Sequence, residues 1–202
     1  MGHFRTGPIV AGFVACVIAW SAGGCTNRDA GGTQFPDYPP PSLDQAVTAG
    51  DTLPQPTATP PPPTEREVVK KLLIDTATRH GVNPALVLGL AWWESGWNQS
   101  AVSLAGAIGV MQVMPATAAV AGPLLLHRNA DVHDLVDNID LGTAILRSNL
   151  DRFHGDLVGA LVDYYAGPSA VTDWSHLDAD KRHNVWGVYR LAVAFQQGRG
   201  PA

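Results

Sequence analysis

One carboxylate among three indoles is the part of this sequence best suited to chemistry. Glu94 follows Trp92 and Trp93 and precedes Trp97, at the end of an apolar stretch that predicts a helix. Burial against aromatic rings disfavours an ionised carboxylate, and so does the partial negative charge of a helix C-terminus, so both raise its pKa. A carboxyl group that is protonated near neutral pH suits general-acid cleavage of a glycosidic bond, and flat indoles suit sugar faces. The alternative on these residues alone is a solvent-exposed glutamate beside core tryptophans.

A stretch with glycines and polar side chains begins nine residues after Glu94, at Ser103. Gly106 and Gly109 let the backbone adopt positive φ and come close to a ligand. Gln112 offers both a hydrogen-bond donor and an acceptor, which suit sugar hydroxyl and amide groups. On composition alone, this stretch predicts a glycine-rich loop and nothing more specific.

Apolar residues at helical spacing recur from Thr64 onward and predict an all-α domain, because no segment alternates long enough for a strand. Thr64 and Glu67 are predicted to form a capping box, and Asn83 to cap a second helix with Pro84 in its first turn. The first helix is predicted to bury a stripe of Val68, Leu72, Leu73 and Ala77. Helices are predicted over 64–80, 83–95, 115–119, 138–153, 156–161 and 180–197, with irregular loops at 96–114 and 121–137.

The composition narrows the function classes. The 202 residues carry a formal net charge of -5, which argues against a nucleic-acid-binding protein, since such proteins show a basic patch or stripe. Both cysteines, Cys16 and Cys25, lie in the first 25 residues, so no disulfide framework, thiolate metal site or cysteine nucleophile is expected in the main domain. The sequence indicates no cofactor. We expect a monomer that is stabilised by its hydrophobic core alone.

Residues 1–25 have the pattern of an export signal. A weakly basic start precedes an apolar run from Ile9 to Trp20, and small residues then lead to Cys25. This ending resembles a bacterial lipobox, which implies a diacylglyceryl group on the cysteine, although Ala22 stands where leucine is usual. The apolar run is short for a bilayer span of about 20 residues. A lipoprotein is the favoured interpretation, with an uncleaved anchor or cleavage and release as the alternatives.

Residues 26–63 form a proline-rich linker. Ten of the 16 prolines lie between Pro36 and Pro63. Such sequence adopts extended polyproline geometry and acts as a semi-rigid spacer, or else it is a disordered connection of no set reach. The predicted organisation is therefore a signal segment at 1–25, a linker at 26–63 and a folded domain at 64–200.

Three blocks of the folded part resemble the soluble-lytic-transglycosylase (SLT) domain family. They are Glu94-Ser95-Gly96-Trp97-Asn98 with Ala101-Val102-Ser103, Gly106-Ala107-Ile108-Gly109-Val110-Met111-Gln112-Val113-Met114-Pro115-Ala116-Thr117-Ala118, and Asp163-Tyr164-Tyr165-Ala166-Gly167-Pro168. The segment Asn138-Ile139-Asp140-Leu141-Gly142 also follows the family pattern. The blocks keep the family's order and spacing, so the resemblance is specific, and it covers nearly the whole folded part.

The resemblance implies a lysozyme-like α fold with a substrate groove and Glu94 as the only catalytic carboxyl group. In that family the glutamate protonates the bond between N-acetylmuramic acid (MurNAc) and N-acetylglucosamine (GlcNAc). It then takes the proton of the C6 hydroxyl group that attacks C1, which gives a 1,6-anhydro sugar. Residues 95–118 contain no second carboxylate, which agrees with a scheme that differs from the usual two-carboxylate glycosidase.

The resemblance also implies four substrate-binding residues by position. Ser103 and Gln112 are expected to contact the acetamido group or ring substituents. Met114 is expected to form an apolar wall. The hydroxyl group of Tyr164 is expected to hydrogen-bond near Glu94 and to help set its protonation.

The third block departs from the family form, which is usually Ala-Tyr-Asn-Ala-Gly. Tyr165 replaces the asparagine, so a bulkier side chain without an amide stands near the predicted site. Asp163 replaces the first alanine and is expected to point to solvent. The alternative is that its charge alters the pKa of Glu94.

Two further groups of residues are interpreted as structural. A cluster in the 121–137 loop fits neither a zinc helix motif nor a calcium loop, so we expect no metal and predict a solvated loop with helix-capping aspartates. Its members are His127, Asp131, His133, Asp134 and Asp137. Trp174 and Trp186 are expected in the core, although they also suit an extended sugar site.

We therefore expect an exported, membrane-anchored lipoprotein of the cell envelope that faces the cell wall. Its expected activity is that of a peptidoglycan lytic transglycosylase acting on glycan strands, with peptidoglycan and the membrane as partners. One alternative is a hydrolytic muramidase of the same fold. The other is a non-catalytic peptidoglycan-binding lipoprotein, against which the intact Glu94 and Gln112 argue.

Overall fold

The computed structural model describes residues 39–43 and 53–201. These residues form helices and loops without a strand, and only isolated bridges join Val102 to Ile108 and Ile108 to Val113. The helices are α1 (Pro63–Arg79), α2 (Pro84–Ser95), α3 (Pro115–Ala121), α4 (Leu135–Arg152), α5 (Leu157–Ala166) and α6 (Ala179–Gln196). The predicted all-α class is confirmed, whereas the signal segment with Cys25 and most of the linker lie outside the described residues.

Helix α2 lies at the centre of the fold. All of its residues from Ala85 to Ser95 are buried except Glu94. It packs most extensively against α6, where the Trp93 ring lies over Gly187, and also against α1. A helix that is apolar on every side is stable only when neighbours cover it. The central position of α2 therefore fixes the backbone from which Glu94 projects.

The start of α1 differs from the prediction. The helix begins at Pro63, its N-cap residue Pro62 makes no side-chain hydrogen bond, and the predicted capping box is not formed. The carbonyl oxygen of Pro62 instead accepts hydrogen bonds from the backbone N–H groups of Glu65 and Arg66, at 3.0 and 3.1 Å. Thr64 thus lies inside the first turn, where its hydroxyl group is displaced from the capping position.

The buried face of α1 is also rotated relative to the predicted stripe. Leu73 and Ala77 are buried as expected, but Val68 is 62% exposed and Val69 is buried instead. The buried positions, Val69, Leu73, Thr76 and Ala77, follow the three- and four-residue spacing of one helix face. Val68 falls outside that face.

Aspartate and asparagine side chains begin the other long helices, as the sequence predicted for several of them. Asn83 accepts a hydrogen bond from the backbone N–H of Ala85, and Gly96 ends α2 in the left-handed conformation. Asp134 caps α4, which therefore starts three residues before the predicted Asn138. Asp156 and Asp178 cap α5 and α6.

The predicted loop at 121–137 is partly helical. A π-helical turn, Gly122–Leu126, follows α3 directly. Pro123 has no N–H group, so the α-helical hydrogen-bond ladder cannot continue through it and the turn widens. Among the described residues, no helix is both long and apolar enough to cross a bilayer.

Candidate active site

Glu94 is the last residue but one of α2 and is partly buried. Burial raises the pKa of its carboxyl group to about 8, since desolvation disfavours the ionised form. Within residues 53–201, the Glu94 carboxyl group accepts no hydrogen bond and forms no ion pair, so none of these residues stabilises its ionised form. The predicted rise in pKa is confirmed, and at pH 7 the protonated form predominates.

The three indoles around Glu94 lie in the core and offer no open face to a sugar. Trp97 is completely buried, and Trp92 and Trp93 are 5% and 6% exposed. Trp97 stacks on Phe195, with ring centroids 5.5 Å apart, and its Nε1 donates to the carbonyl oxygen of Leu88. The expectation that these rings bind sugar faces is therefore wrong, because the end of α2 turns inward at Gly96 and carries Trp97 into the core.

The loop between α2 and α3 is held against the rest of the fold by Asn138. This fully buried side chain donates to the carbonyl oxygens of Ile108 and Val132, at 2.8 and 2.9 Å. Its Oδ1 accepts a hydrogen bond from the backbone N–H of Met111 at 2.9 Å. The sequence placed Asn138 in a family-like segment but gave no sign of this function.

Ser95 and Gln99 also hold this loop in place. The Ser95 hydroxyl group donates to the carbonyl oxygen of Val110 at 2.8 Å. Gln99 Oε1 accepts from the backbone N–H of Val110 at 3.1 Å, and Gln99 Nε2 donates to Val132 O and His133 O. Gln99 was not predicted from the sequence, since a glutamine in a loop has no spacing signal that identifies it as a scaffold residue.

Ser103 and Gln112 take part in the local structure of this loop. The Ser103 hydroxyl oxygen accepts from the backbone N–H of Ala107 at 3.0 Å, which leaves its O–H group to donate elsewhere. Gln112 has a positive φ of 46°, which is uncommon for residues other than glycine. Its Nε2 donates to Ala101 O and Gly109 O, at 3.3 and 3.0 Å, so its donors are used within the loop.

Tyr164 connects α5 to the same loop. Its hydroxyl group donates to the carbonyl oxygen of Met111 at 2.9 Å. Gly142 of α4 makes this approach possible, because a Cβ atom there would lie 2.4 Å from the Met111 Cβ and 3.1 Å from the Tyr164 hydroxyl oxygen. Met114 is partly buried and precedes α3 as its N-cap residue.

Tyr164 and Tyr165 both lie within electrostatic range of Glu94. Burial raises the pKa of Tyr164 well above its ordinary value, and the charge of Glu94 raises it further. Burial also raises the pKa of Tyr165, with contributions from Asp180, Glu94 and then Asp178. The third block therefore lies near Glu94 of the first block, and Tyr165 is close to the candidate site.

Asp163 does not point to solvent as expected. It is 7% exposed, and its Oδ2 accepts a hydrogen bond from Arg152 Nη1 at 2.8 Å. Burial raises the pKa of Asp163, while the Arg152 charge lowers it. The prediction was wrong because α5 turns this residue toward α4, where Arg152 pairs with it. The pKa of Glu94 is raised by its own burial, without a contribution from Asp163.

The polar cluster at 127–137 is a structural element. Asp134 caps α4, and Asp137 accepts hydrogen bonds from Arg128 at 2.6 Å and from the backbone N–H of Asp131 at 2.8 Å. Within the part of the chain that the structure describes, no group of three His, Cys, Asp or Glu side chains is arranged to hold a metal ion. Trp186 is buried, as the core interpretation predicted.

Comparisons with known proteins agree with these features. A family model described as the Transglycosylase SLT domain matches residues 71–186. The transglycosylase of Enterobacteria phage PRD1 is 40% identical over 91 residues, which cover 45% of this chain and 32% of that protein. Membrane-bound lytic murein transglycosylase C of Actinobacillus pleuropneumoniae is 34% identical over 136 residues, covering 57% of this chain and 36% of that protein. The chain thus spans about a third of the length of these relatives.

Solved structures show the same fold. The lytic transglycosylase Slt of Pseudomonas aeruginosa superposes with a TM-score of 0.58 at 24% identity, covering 65% of this chain and 25% of that one. The 70 kDa soluble lytic transglycosylase of Escherichia coli gives a TM-score of 0.56 at 24% identity, covering 63% and 24%. With the family model matching more than half of its residues, the chain belongs to the Transglycosylase SLT domain family.

Proposed function

We propose that this protein is a peptidoglycan lytic transglycosylase that cleaves the MurNAc-GlcNAc β-1,4 bond with Glu94 as its single general acid and base. The observation that carries the proposal is the carboxyl group of Glu94, which burial keeps protonated with a pKa of about 8 beside the SLT motif loop. A general acid works best when its pKa lies near the operating pH. Residues 64–200 form the proposed catalytic domain.

In the proposed reaction, Glu94 donates its proton to the bridging oxygen as the bond from that oxygen to C1 of MurNAc breaks. The resulting carboxylate then accepts the proton of the MurNAc C6 hydroxyl group, whose oxygen bonds to C1. The products are a 1,6-anhydro-MurNAc end and a free GlcNAc hydroxyl group, and no water is consumed. One carboxyl group is enough, in contrast to the paired carboxylates of most glycosidases.

Four residues are proposed to bind the glycan strand. The Ser103 O–H group donates to a sugar acceptor, since its oxygen already accepts from Ala107. Gln112 presents its Oε1, because its Nε2 donors are used within the loop. Met114 supplies an apolar contact, and Tyr164, whose hydroxyl group donates to the carbonyl oxygen of Met111, lies against the glycan strand beside that loop.

We propose that the protein acts from the cell envelope, exported and attached to the membrane through a lipid on Cys25. The name of the Actinobacillus relative describes that protein as membrane-bound, which supports the interpretation of residues 1–25. The glycan strands of peptidoglycan are the proposed partner, and the enzyme is proposed to act as a monomer without a cofactor.

Mass spectrometry of digested peptidoglycan tests the reaction. Purified cell walls are incubated with the wild-type protein, and the ends of the released fragments are identified by mass. The proposal predicts 1,6-anhydro-MurNAc ends, which are one water lighter than reducing ends. Reducing ends would assign the protein to the hydrolytic muramidases, and release of no fragments would favour a non-catalytic binding protein.

A further inference from the structure

The residues that follow α2 supply hydrogen-bond donors for only some of the carbonyl groups at the end of this helix. The last four carbonyl groups of a helix have no partner within the helix. The backbone N–H of Gly96 donates to Trp92 O at 2.8 Å, and that of Asn98 donates to Ser95 O at 3.3 Å. The carbonyl oxygens of Trp93 and Glu94 receive no such bond from the residues that follow α2.

Thr57 supplies both of the missing donors. Its backbone N–H donates to the carbonyl oxygen of Trp93 at 3.3 Å. Its hydroxyl group donates to the carbonyl oxygen of Glu94. One residue, far away in sequence and outside the three family blocks, thus completes the hydrogen bonding of the helix end that carries the proposed acid.

The segment around Thr57, residues 53–60, is held in place on both sides of that contact. Pro54 is buried, and Leu53 packs against the core. The carbonyl oxygen of Thr59 accepts a hydrogen bond from Asn98 Nδ2 at 3.0 Å. The prolines of this segment predict a spacer, and no pattern in its sequence indicates these contacts.

This segment packs closely against Gly96. A Cβ atom at Gly96 would lie 3.0 Å from Pro56 Cβ and Cγ and from Pro60 Cγ. Gly96 also has a φ of 64°, which side chains disfavour. A glycine at this position therefore serves two purposes, since it ends α2 and lets the proline segment approach the helix end closely.

We propose, on the basis of the function proposed above, that Thr57 is a positioning residue that fixes the backbone of Glu94 for proton transfer. Proton transfer requires the acid to lie within hydrogen-bond reach of the bridging oxygen, and a misplacement of about 1 Å costs on the order of 10²-fold in rate. Thr57 has an exposed side chain, so its effect on turnover arises through the end of α2 and not through core packing.

The test uses the full-length protein with Thr57→Val, which keeps the side-chain shape and removes the hydroxyl donor, and Thr57→Ser, which retains that donor. Thr64→Val is the matched control, since Thr64 is also exposed and its side chain makes no hydrogen bond within the described residues. Turnover and KM are measured on soluble peptidoglycan oligosaccharides, and each kcat is divided by the folded fraction from circular dichroism.

We expect Thr57→Val to lower kcat by about 10- to 100-fold with KM changed less than about twofold. Thr57→Ser and Thr64→Val are expected to keep the wild-type kcat. A Thr57→Val protein with wild-type kcat would overturn the positioning role if Glu94→Gln, assayed alongside, is inactive. Full activity of Glu94→Gln would instead refute the proposed function and this inference with it.

Discussion

Glu94 combines two conditions that a single acid and base needs. Its backbone belongs to a helix that is buried on every side. Among the residues from Ala85 to Ser95, Glu94 alone is partly accessible. Burial raises its pKa to about 8, since desolvation disfavours the ionised form. The proposed mechanism requires this carboxyl group to give up a proton to the bridging oxygen atom and then to take one back from the C6 hydroxyl group.

The raised pKa predicts how activity depends on pH. A carboxyl group with a pKa of about 8 is protonated below that pH and ionised above it, so general-acid cleavage is lost as the pH rises through 8. We expect kcat/KM measured between about pH 3 and pH 10 to fall with a midpoint near 8, since this ratio reports the free enzyme. As a control, Glu67→Gln, which changes an exposed glutamate, should keep that midpoint. A midpoint near the ordinary glutamate value of 4.5 would show that burial does not control this group.

The sequence predicted the direction of the Glu94 pKa shift but misjudged several neighbours. Glu94 stood out as the candidate acid because the SLT-like motif blocks accompany it, since a lone carboxylate at the end of an apolar helix also fits a structural residue. The tryptophans around it were expected to bind sugar, yet an indole that fills a core and one that lines a groove have the same sequence pattern. Asp163 was placed in solvent because its partner, Arg152, lies on a different helix, and such pairs have no local signal.

At the level of elements, the irregular loop from Gly96 to Met114 is kept in one conformation by buried side-chain amides. Asn138 alone bonds two backbone groups of this loop, Ile108 O and Met111 N–H, and ties them to Val132 O before α4. A loop without regular hydrogen bonding must satisfy its buried N–H and C=O groups in this way, since each unpaired group costs free energy. Helix α4 thereby determines where the loop residues Ser103 and Gln112 lie relative to Glu94.

We predict that Asn138→Ala destabilises the protein by about 3 kcal/mol, because it leaves buried groups such as the Met111 N–H unpaired. Urea unfolding followed by circular dichroism gives the free energy of unfolding. Asn129→Ala, at an exposed position in the loop before α4, should change it by less than about 0.5 kcal/mol. Equal stability of the two variants would mean that Asn138 does not hold the loop.

Helix positions followed from the sequence more closely than helix ends did. Asn83 and Pro84 marked the start of α2 correctly because cap and first-turn residues act locally. The start of α1 was misassigned, since Pro62 and Pro63 compete with the Thr64 capping box. The π-helical turn after α3 was not predicted, because Pro123 in the sequence marks the end of an α-helix without showing that a wider turn continues it.

On the scale of the whole molecule, a family domain follows a signal-like segment and a proline-rich stretch. The domain matches about a third of the length of its curated relatives. Residues 53–60 show that part of the proline-rich stretch contacts the domain at the end of α2. The folded unit therefore extends toward the N-terminus, beyond the first helix.

Attachment through Cys25 is testable by substitution. Cys25→Ser removes the thiol that would carry the lipid, so we expect the variant to incorporate no radiolabelled palmitate and to leave the membrane fraction. Cys16→Ser is the control, because Cys16 is the other cysteine and lies within the apolar run, away from the lipobox-like ending. A Cys25→Ser protein that stays in the membrane would favour an uncleaved anchor.

Turnover of Glu94→Gln tests the central claim most directly. The substitution keeps the size of the side chain and removes its ionisable proton, and residues 95–118 offer no second carboxylate to replace it. General-acid catalysis contributes about 10²- to 10⁴-fold, so we predict that peptidoglycan cleavage falls by at least about 100-fold, while the exposed control Glu67→Gln cleaves like the wild type. Cleavage by Glu94→Gln within about twofold of the wild-type rate would contradict the assignment of Glu94 as the acid and base.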